Sequence, residues 1–365
     1  MDPRCAITGG NDSAATGCLR RPGVAIRFAG RITIALLAAA VLAVNVAADE
    51  ARAVYRVDGP KLLDPCGAEL VLRGVNKMAV FMDRAGRSFA EIAKSGANSV
   101  RIMWVASVPA SEAVQTLQAA IDARLLPIWE LHDATGKWWK MDDIEAYWLR
   151  PETLEVLRRF EQRLILNIAN EAGDVVADED FVATYARIIR RLREAGLRLP
   201  LMIDAAGYGR NVEQLLRLAP RLLAADPQRN LVFSWHVYDH GAGEPARIDR
   251  AFDAAAAQGL PLVVGEFGPN TPGACRRAVP WAHLITRAHE RGIGWLAWSW
   301  DNMNADCAVP GGGSVFDMVA DGITLASLKP GWATEVVLTH PASIRHTARR
   351  TAWQDDPTST TCPAR

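Results

Sequence analysis

The feature that most constrains the fold of this chain is a regular alternation of strand-like and helix-like segments, which occurs eight times within about 270 residues. Short apolar runs such as 98–104 and 231–238 have the composition of buried strands, whereas the apolar residues of 181–192 recur at helical spacing. Strand–helix alternation implies parallel strands joined by crossover helices. Eight units at this length predict a closed (β/α)8 TIM barrel in a single domain, since an open doubly wound sheet usually has fewer strands.

The beginning and end of this pattern divide the chain into three regions. Residues 54–340 are predicted to form the barrel domain, which starts with a β-hairpin around Asp58 and Gly59 before the first barrel strand. Residues 1–53 are predicted to be an N-terminal extension with a signal peptide. Residues 341–365 are predicted to be a flexible C-terminal tail.

A targeting signal is predicted near the N-terminus. Four arginines between positions 20 and 31 precede an uncharged apolar run, 32–48, that ends in small residues. This order is typical of a secretory signal peptide, with cleavage after Ala48 or Ala53, and it predicts a secreted or periplasmic protein. An uncleaved membrane anchor is the alternative, because the run is about 17 residues long.

Charge and motif content argue against several classes of function. The chain has 41 basic and 41 acidic residues, so no net charge would attract a nucleic acid. It contains neither a Gly-x-Gly-x-x-Gly nor a Gly-Lys-Ser/Thr loop, the motifs that bind nucleotide phosphates. The cysteines lack metal-ligand spacing, so we expect no metal and no other cofactor. We also expect a monomer.

The cysteine content agrees with export. Four cysteines follow the signal segment, and an even number in an exported chain permits two disulfides in three connectivities. Cys275 and Cys307 follow the seventh and eighth predicted strands, whose loops lie side by side at the mouth of a closed barrel. Cys66 and Cys362 lie before the first strand and after the last helix, and closure brings these ends together. We therefore expect the pairs Cys275–Cys307 and Cys66–Cys362.

Two glutamates follow buried strands. The aliphatic runs 164–171 and 261–266 end on Glu171 and Glu266. A carboxylate at the end of a buried strand costs solvation free energy unless it is paired or used. Either glutamate alone could pair with a buried arginine. Together, near opposite sides of a barrel mouth, they match the pair of retaining glycoside hydrolases, in which carboxyls about 5–5.5 Å apart act as nucleophile and as acid, then base.

Nearly all of the remaining predicted strands also end on polar or aromatic side chains. In a barrel the carboxyl ends of the strands face the mouth. The set is Asn76, Arg101, His132, Asn170, Glu171, Asp204, His236, Tyr238, Glu266, Trp298 and Trp300. Arg101 is expected to hydrogen-bond Glu266 and lower its pKa, which would keep it ionised. Asn170 is expected to reach the 2-hydroxyl of a sugar.

Strand periodicity groups four more of these residues. Side chains two apart in a strand point the same way, so His236 and Tyr238 should share one face and Trp298 and Trp300 another. The two tryptophans are expected to stack on sugar rings. His132 alone is more typical of a buried core histidine, and it is included for its position.

These residues also carry a resemblance to a known family. The chain resembles glycoside hydrolase family 5 of clan A, and within it most closely the bacterial endo-β-1,4-mannanases. The matching stretches, in the order of the family, are 73–76 (RGVN), 131–136 (LHDATG), 167–171 (NIANE), 264–268 (VGEFG) and 296–300 (LAWSW). The resemblance implies that Glu171 is the acid/base, that Glu266 is the nucleophile, and that Arg101, His132, Asn170, His236, Tyr238 and Trp298 surround them.

The sequence also departs from the family pattern. Ala172-Gly173 follows Glu171 where similar enzymes usually have proline, and 301–313 has no clear counterpart. These loops bear on the choice of substrate more than on the chemistry. We therefore predict a secreted retaining endo-β-1,4-glycanase that acts on β-mannan. An endo-β-1,4-glucanase on the same site and a non-catalytic carbohydrate-binding barrel are the alternatives, and the presence of both glutamates argues against the last.

Overall fold

The computed structural model describes residues 54–301, 306–310 and 312–362, and the predicted signal segment lies outside them. Eight parallel strands form a closed barrel in the order β12-β3-β4-β5-β6-β7-β8-β9, which confirms the predicted (β/α)8 fold. The barrel strands are β3 (Arg73–Lys77), β4 (Ser99–Trp104), β5 (Leu126–Leu131), β6 (Ile165–Asn167), β7 (Leu201–Asp204), β8 (Leu231–Val237), β9 (Leu262–Phe267) and β12 (Gly294–Ala297). Every residue of these strands is buried, as expected for a parallel sheet covered on both faces.

Helices follow the barrel strands and cover their outer face. The α-helices are α1 (Ala79–Met82), α2 (Arg87–Lys94), α3 (Ala113–Asp122), α4 (Met141–Trp148), α5 (Pro151–Phe160), α6 (Asp178–Glu194), α7 (Val212–Ala225), α8 (Glu244–Ala257), α9 (Trp281–Glu290), α10 (Trp332–Thr334), α11 (Ile344–Thr347) and α12 (Ala352–Asp355). One-turn 3-10 helices occur at Ala110–Glu112, His132–Ala134, Trp138–Lys140, Glu161–Arg163 and Leu325–Ser327, and a π-helix at Glu335–Thr339. In the described part of the chain, no helix is both long and apolar enough to span a membrane.

Strand register places the polar strand ends at one edge of the barrel. Asn76 pairs with Arg101 across β3 and β4. His236 pairs with Glu266 across β8 and β9, after a register irregularity between Trp235 and His236. Because all eight strands run parallel, their carboxyl ends meet at the same opening, and the side chains at these ends converge there.

The opposite end of the barrel is closed by both ends of the described chain. The predicted hairpin is present as β1 (Arg56–Asp58) and β2 (Lys61–Leu63), paired antiparallel. Tyr55 from this region and Trp353 from α12 pack into one apolar cluster with inward-facing strand residues such as Leu126. The two ends of the described part of the chain therefore form the floor of the barrel.

The prediction of a flexible tail over 341–365 is wrong for the residues that the structure describes. Trp353 is only 1% exposed, and the Arg163 guanidinium lies 4.3 Å from its ring centroid. The side chain of Gln354 donates to the carbonyl of Asn98, the residue before β4, and so anchors α12 at the start of that strand. A disulfide joins Cys362 to Cys66 with a Cα–Cα distance of 5.3 Å, so that predicted pair is present. The polar segment 357–361, which lies between these anchors, is the part of the sequence that suggested flexibility.

Replacing Trp353 with alanine should therefore destabilise the whole barrel. We expect Trp353→Ala to lower the free energy of unfolding by about 3–5 kcal/mol, because it removes a large buried side chain and leaves a cavity. Trp139→Ala is the matched control: its side chain is 73% exposed, so the change should stay within about 0.5 kcal/mol. Urea unfolding of both variants measures the difference, and equal effects would mean that the tail contributes no more than a surface loop.

Candidate active site

A cavity of about 480 Å³ opens at the carboxyl ends of the strands. Its walls come from strand ends and from the loops that follow β5, β7, β9 and β12. The lining residues are His132, Thr135, Glu171, Tyr208, Arg210, Tyr238, Glu266, Pro272, Gly273, Trp298 and Asp306. Both predicted glutamates thus face one open space.

Glu171 and Glu266 approach each other across this cavity. One carboxylate oxygen from each, and a ring nitrogen of His236, all lie within 4.8 Å of one another. Nδ1 of His236 lies 2.8 Å from a carboxylate oxygen of Glu171 and 3.6 Å from one of Glu266. The separation between the Glu171 and Glu266 carboxylates is close to that of retaining glycosidases, about 5–5.5 Å. It is shorter than that of inverting glycosidases, about 6.5–9.5 Å.

The backbone around Glu171 aims its carboxylate into the cavity. Glu171 has φ of 47°, in the left-handed region that a non-glycine residue enters only when neighbours hold it there. Its N–H donates to Asp204 at 3.1 Å, and its carbonyl accepts from the N–H of Gly136 at 3.0 Å. At Gly173, where the family pattern is interrupted, φ is 78° and a Cβ would lie 2.5 Å from Val176. The unusual Ala-Gly sequence therefore fits a tight turn that follows Glu171.

Arg101 is the buried cation on which the site is built. Its guanidinium is 1% exposed and donates to Glu266 at 2.8 Å and to Asp204 at 3.2 Å. It also donates to the amide oxygens of Asn76, Asn167 and Asn170, at 3.1, 2.8 and 2.6 Å. Burial opposes its charge, but the surrounding carboxylates outweigh burial and raise its pKa. Arg101 is therefore a permanent charge that orients five residues from four barrel strands or their ends.

Glu266 is held from two sides. Arg101 binds one carboxylate oxygen, and the Tyr238 hydroxyl donates to the other at 2.9 Å. The expectation that Arg101 gives Glu266 a lowered pKa is wrong in its net result. Burial raises the pKa of Glu266 above its ordinary value, even though the nearby cations of His236 and Arg101 act in the opposite direction. The hydrogen bonds from Arg101 and Tyr238 nevertheless act in the direction of the ionised form of Glu266, because both groups donate to its carboxylate.

His236 connects the two glutamates electrostatically. The ring is fully buried, and burial alone would lower its pKa. The carboxylates of Glu266, Asp204 and Glu171 outweigh burial and raise the pKa of His236 to about 9. The His236 ring is therefore protonated at neutral pH, with its positive charge held between these carboxylates.

His132 lies in the cavity wall and is also anchored from below. Its Nδ1 lies 2.9 Å from Glu130, a fully buried carboxylate inside β5, and its ring stacks on Trp298 with centroids 6.0 Å apart. Burial opposes the protonated ring, but Glu130 outweighs burial and raises the pKa of His132. His132 is thus a cavity residue with a satisfied hydrogen bond rather than a core histidine.

Trp300 does not belong to the site, and its predicted stacking role is wrong. The side chain is fully buried, and its indole N–H donates to the carbonyl of Ile323 at 3.0 Å. The last barrel strand, β12, ends at Ala297, so the alternation that would place Trp298 and Trp300 on one face does not extend to them. Only Trp298 lines the cavity.

The predicted disulfide Cys275–Cys307 is present at the rim, with a Cα–Cα distance of 5.1 Å. Cys275 lies in β11 (Ala274–Ala278), which pairs with β10 (Asn270–Thr271) in a small hairpin after β9. Pro272 and Gly273 of this hairpin and Asp306 next to Cys307 line the cavity. The disulfide therefore ties together two loops of one cavity wall.

Several residues of the site were missed by the sequence analysis. Glu130 and Asn167 lie within strands rather than after them. Thr135 lies in the family-like stretch 131–136 but was given no role, and Tyr208 and Arg210 lie in a loop without a recognisable motif. Glu130 lies two residues before His132 and Asn167 lies four before Glu171, so each could share a strand face with the site residue that follows it. The sequence would have identified them as site residues only if the strand register had been known. Glu171, His236 and Glu266 are also the one group among the described residues whose atoms converge enough to hold a metal ion.

Comparisons with known proteins agree with this geometry. The family described as Cellulase (glycosyl hydrolase family 5) matches residues 63–304. The mannan endo-1,4-beta-mannosidase of Cellvibrio japonicus (strain Ueda107) is 30% identical over 336 residues, which cover 88% of this chain and 74% of that protein. The enzyme of the same name from Salipaludibacillus agaradhaerens is 33% identical over 260 residues, covering 67% and 81%. The crystal structure of β-mannanase from Streptomyces thermolilacinus with mannohexaose superposes with a TM-score of 0.74 at 28% identity, covering 83% of this chain and 99% of that one.

Proposed function

This chain belongs to glycosyl hydrolase family 5 and is a glycoside hydrolase, and from this premise we propose that it is a secreted endo-β-1,4-mannanase that retains the anomeric configuration. The observation that carries the mechanism is the close approach of Glu171 and Glu266, within 4.8 Å, across an open cavity. The relatives named for mannan hydrolysis support mannan as the substrate.

In the first step, Glu171 protonates the glycosidic oxygen while Glu266 attacks the anomeric carbon. The bond to the leaving sugar breaks, and a covalent bond forms between the sugar and Glu266. Arg101 and the Tyr238 hydroxyl orient the attacking carboxylate, each through one hydrogen bond. In the second step Glu171, now ionised, takes a proton from water, whose oxygen displaces Glu266 from the sugar.

The remaining polar residues are proposed to bind the sugar at the reacting centre. Asn170 is fixed because its amide oxygen accepts from Arg101 and its amide N–H donates to Thr135 at 2.8 Å. Its second N–H is proposed to donate to the 2-hydroxyl, a contact that strengthens in the transition state. His132 and Trp298 form the adjacent wall, where a polar ring edge and an apolar face suit a pyranose.

Product analysis tests the reaction and the substrate together. Reducing-sugar release should be highest from mannan, lower from glucomannan and lowest from carboxymethylcellulose. NMR of the first products of mannohexaose should show the β-anomer before mutarotation. An inverted first product would contradict the double displacement, and preference for carboxymethylcellulose would favour the endo-β-1,4-glucanase alternative. The N-terminal sequence of protein recovered from the culture medium tests cleavage after Ala48 or Ala53.

The titration of His236 predicts a basic limit of activity. We expect kcat/KM to fall as pH rises through about 9, because His236 then loses the positive charge that it holds beside the carboxylates of Glu171 and Glu266. The pKa of His236 is raised above its ordinary value, so its contribution to stability is also complete at low pH and lost through about pH 9. Thermal unfolding at each pH is therefore the control. A complete loss of kcat/KM by pH 7 in folded enzyme would contradict this assignment.

A further inference from the structure

Tyr208 is an exposed aromatic ring that the mechanism does not use. It lies in the loop after β7, lines the cavity and is 40% exposed. Its φ is 55°, in the left-handed region that tyrosine rarely adopts. Strained residues of this kind persist only where surrounding structure holds them, and they concentrate at functional sites. The position of the ring therefore calls for an explanation other than packing in the core.

Neighbouring loops are shaped to hold this ring against the cavity wall. At Gly136 a Cβ would lie 2.4 Å from the Tyr208 ring, so the absence of a side chain makes room for the ring. The N–H of Tyr208 donates to the carbonyl of Gly173, two residues after Glu171, at 3.1 Å. At Gly209 a Cβ would lie 2.6 Å from His236, so this loop sits directly on the histidine. The ring is thus tied to the loop of the acid/base.

Arg210 places a hydrogen-bond donor on the same loop. Its guanidinium lines the cavity, is 38% exposed and pairs with Asp239 at 3.3 Å. Asp239 is itself held by Arg247 at 2.6 Å, which fixes the orientation of the Arg210 side chain. An apolar ring face beside an oriented donor is the combination that binds a pyranose, because sugars present C–H faces and hydroxyl edges.

The loop of Tyr208 and Arg210 contacts the loop that follows Glu171, so it lies on the Glu171 side of the cavity. This position determines which sugar the loop meets. Glu171 must reach the glycosidic oxygen, and the leaving part of the polysaccharide is bonded to that oxygen. Building on the proposed function, we propose that Tyr208 and Arg210 form the binding subsite for the leaving sugar, with Tyr208 as the stacking platform and Arg210 as the hydroxyl donor. The ligand is a neutral β-linked hexopyranose unit of the leaving chain.

The same subsite must bind a sugar acceptor in the reverse direction. When a sugar hydroxyl replaces water, its oxygen bonds to the anomeric carbon, the bond to Glu266 breaks, and the hydroxyl proton passes to Glu171. This transfer requires the acceptor to occupy the leaving-sugar subsite. Loss of Tyr208 should therefore shift the fate of the glycosyl-enzyme from transfer towards hydrolysis.

The test compares substrates with and without a leaving sugar. We expect Tyr208→Ala to lower the ratio of kcat/KM for mannohexaose to kcat/KM for β-mannotriosyl fluoride about tenfold, since the fluoride leaves that subsite empty. Arg210→Met should lower the ratio in the same direction, whereas Tyr208→Phe should lower it less because it keeps the ring. Phe81→Ala is the matched control, since this ring is 51% exposed but does not line the cavity, and it should keep the wild-type ratio. With mannotriose added as acceptor, Tyr208→Ala should also give a smaller ratio of transfer to hydrolysis.

The outcomes separate this inference from the proposed function. Equal losses on both substrates, or no loss on either, in an active enzyme would overturn the subsite but leave the mannanase intact. A wild-type enzyme that acts only on cellohexaose and cellotriosyl fluoride would refute mannan as substrate, and the same ratio in that series would then decide the subsite. Wild-type inactivity on both series would overturn both proposals.

Discussion

Glu266→Gln should abolish hydrolysis of mannan while leaving the fold intact, with a loss in kcat on the order of 10⁴-fold or more. An amide cannot form the covalent bond to the sugar that the first step requires. The replacement has nearly the same shape, and the amide oxygen of the introduced side chain can still accept from Arg101 or Tyr238, so the surrounding network should survive. Thermal unfolding and the circular dichroism spectrum measure the fold, and a reducing-sugar assay measures turnover.

Glu171→Gln should give a different pattern, which distinguishes the two glutamates. Loss of a general acid costs about 10²–10⁴-fold on a substrate with a poor leaving group. A fluoride leaving group needs little protonation, so formation of the glycosyl-enzyme from β-mannotriosyl fluoride should be nearly retained. Added azide should then restore turnover, because an anionic nucleophile does not need Glu171 as a base. Azide rescue of Glu266→Gln with retention, or near-normal activity of either folded variant, would contradict the assigned roles.

The fold and the two central carboxylates could be predicted because both depend on local patterns. Buried parallel strands give uninterrupted apolar runs, and in a barrel any polar residue at their carboxyl ends faces the mouth. Glu171 and Glu266 satisfy this rule, as do His236 and Tyr238, which reach the two carboxylates. Barrel closure likewise predicted which cysteines would meet.

The rest depends on information that local patterns do not contain. Trp298 and Trp300 are two residues apart, but the strand ends before either of them, so only one faces the cavity. Glu130 looks like an ordinary strand residue until the register brings it under His132. Trp353 sits in a polar segment, and its burial becomes evident only once the hairpin and the barrel floor are in place.

The net pKa of Glu266 was mispredicted for a related reason. The strand pattern places Arg101 at the same barrel mouth as Glu266, which argues for a lowered pKa of Glu266. The degree to which Glu266 is buried, in contrast, is a property of the assembled barrel. The structure buries Glu266 together with three other acidic side chains around Arg101, namely Glu130, Asp204 and the partly buried Glu171. Desolvation and mutual repulsion then outweigh the attraction to the cation.

Removing the charge of Arg101 should consequently have the largest combined effect on stability and activity. We expect Arg101→Met to lower the free energy of unfolding at pH 8 by about 3–5 kcal/mol, because it leaves buried carboxylates without their cation. Without that cation the pKa of Glu266 rises further, so the acidic limb of kcat/KM should move to higher pH. The folded state then binds protons that the unfolded state does not, and by linkage the stability deficit should shrink as pH falls from 8 to 5.

Arg193→Met provides the matched control for this prediction. Arg193 is a buried arginine that makes two hydrogen bonds to Asp226, at 3.0 and 2.9 Å, and it is not part of the cavity wall. Its replacement should cost a similar free energy of unfolding by the same mechanism. It should not move the acidic limb of kcat/KM, because Asp226 takes no part in the reaction. Urea unfolding measures whether each arginine stabilises the fold. The pH–rate profiles measure whether Arg101, unlike Arg193, also controls the ionisation of Glu266. An unshifted acidic limb in folded Arg101→Met would show that Arg101 does not control that ionisation.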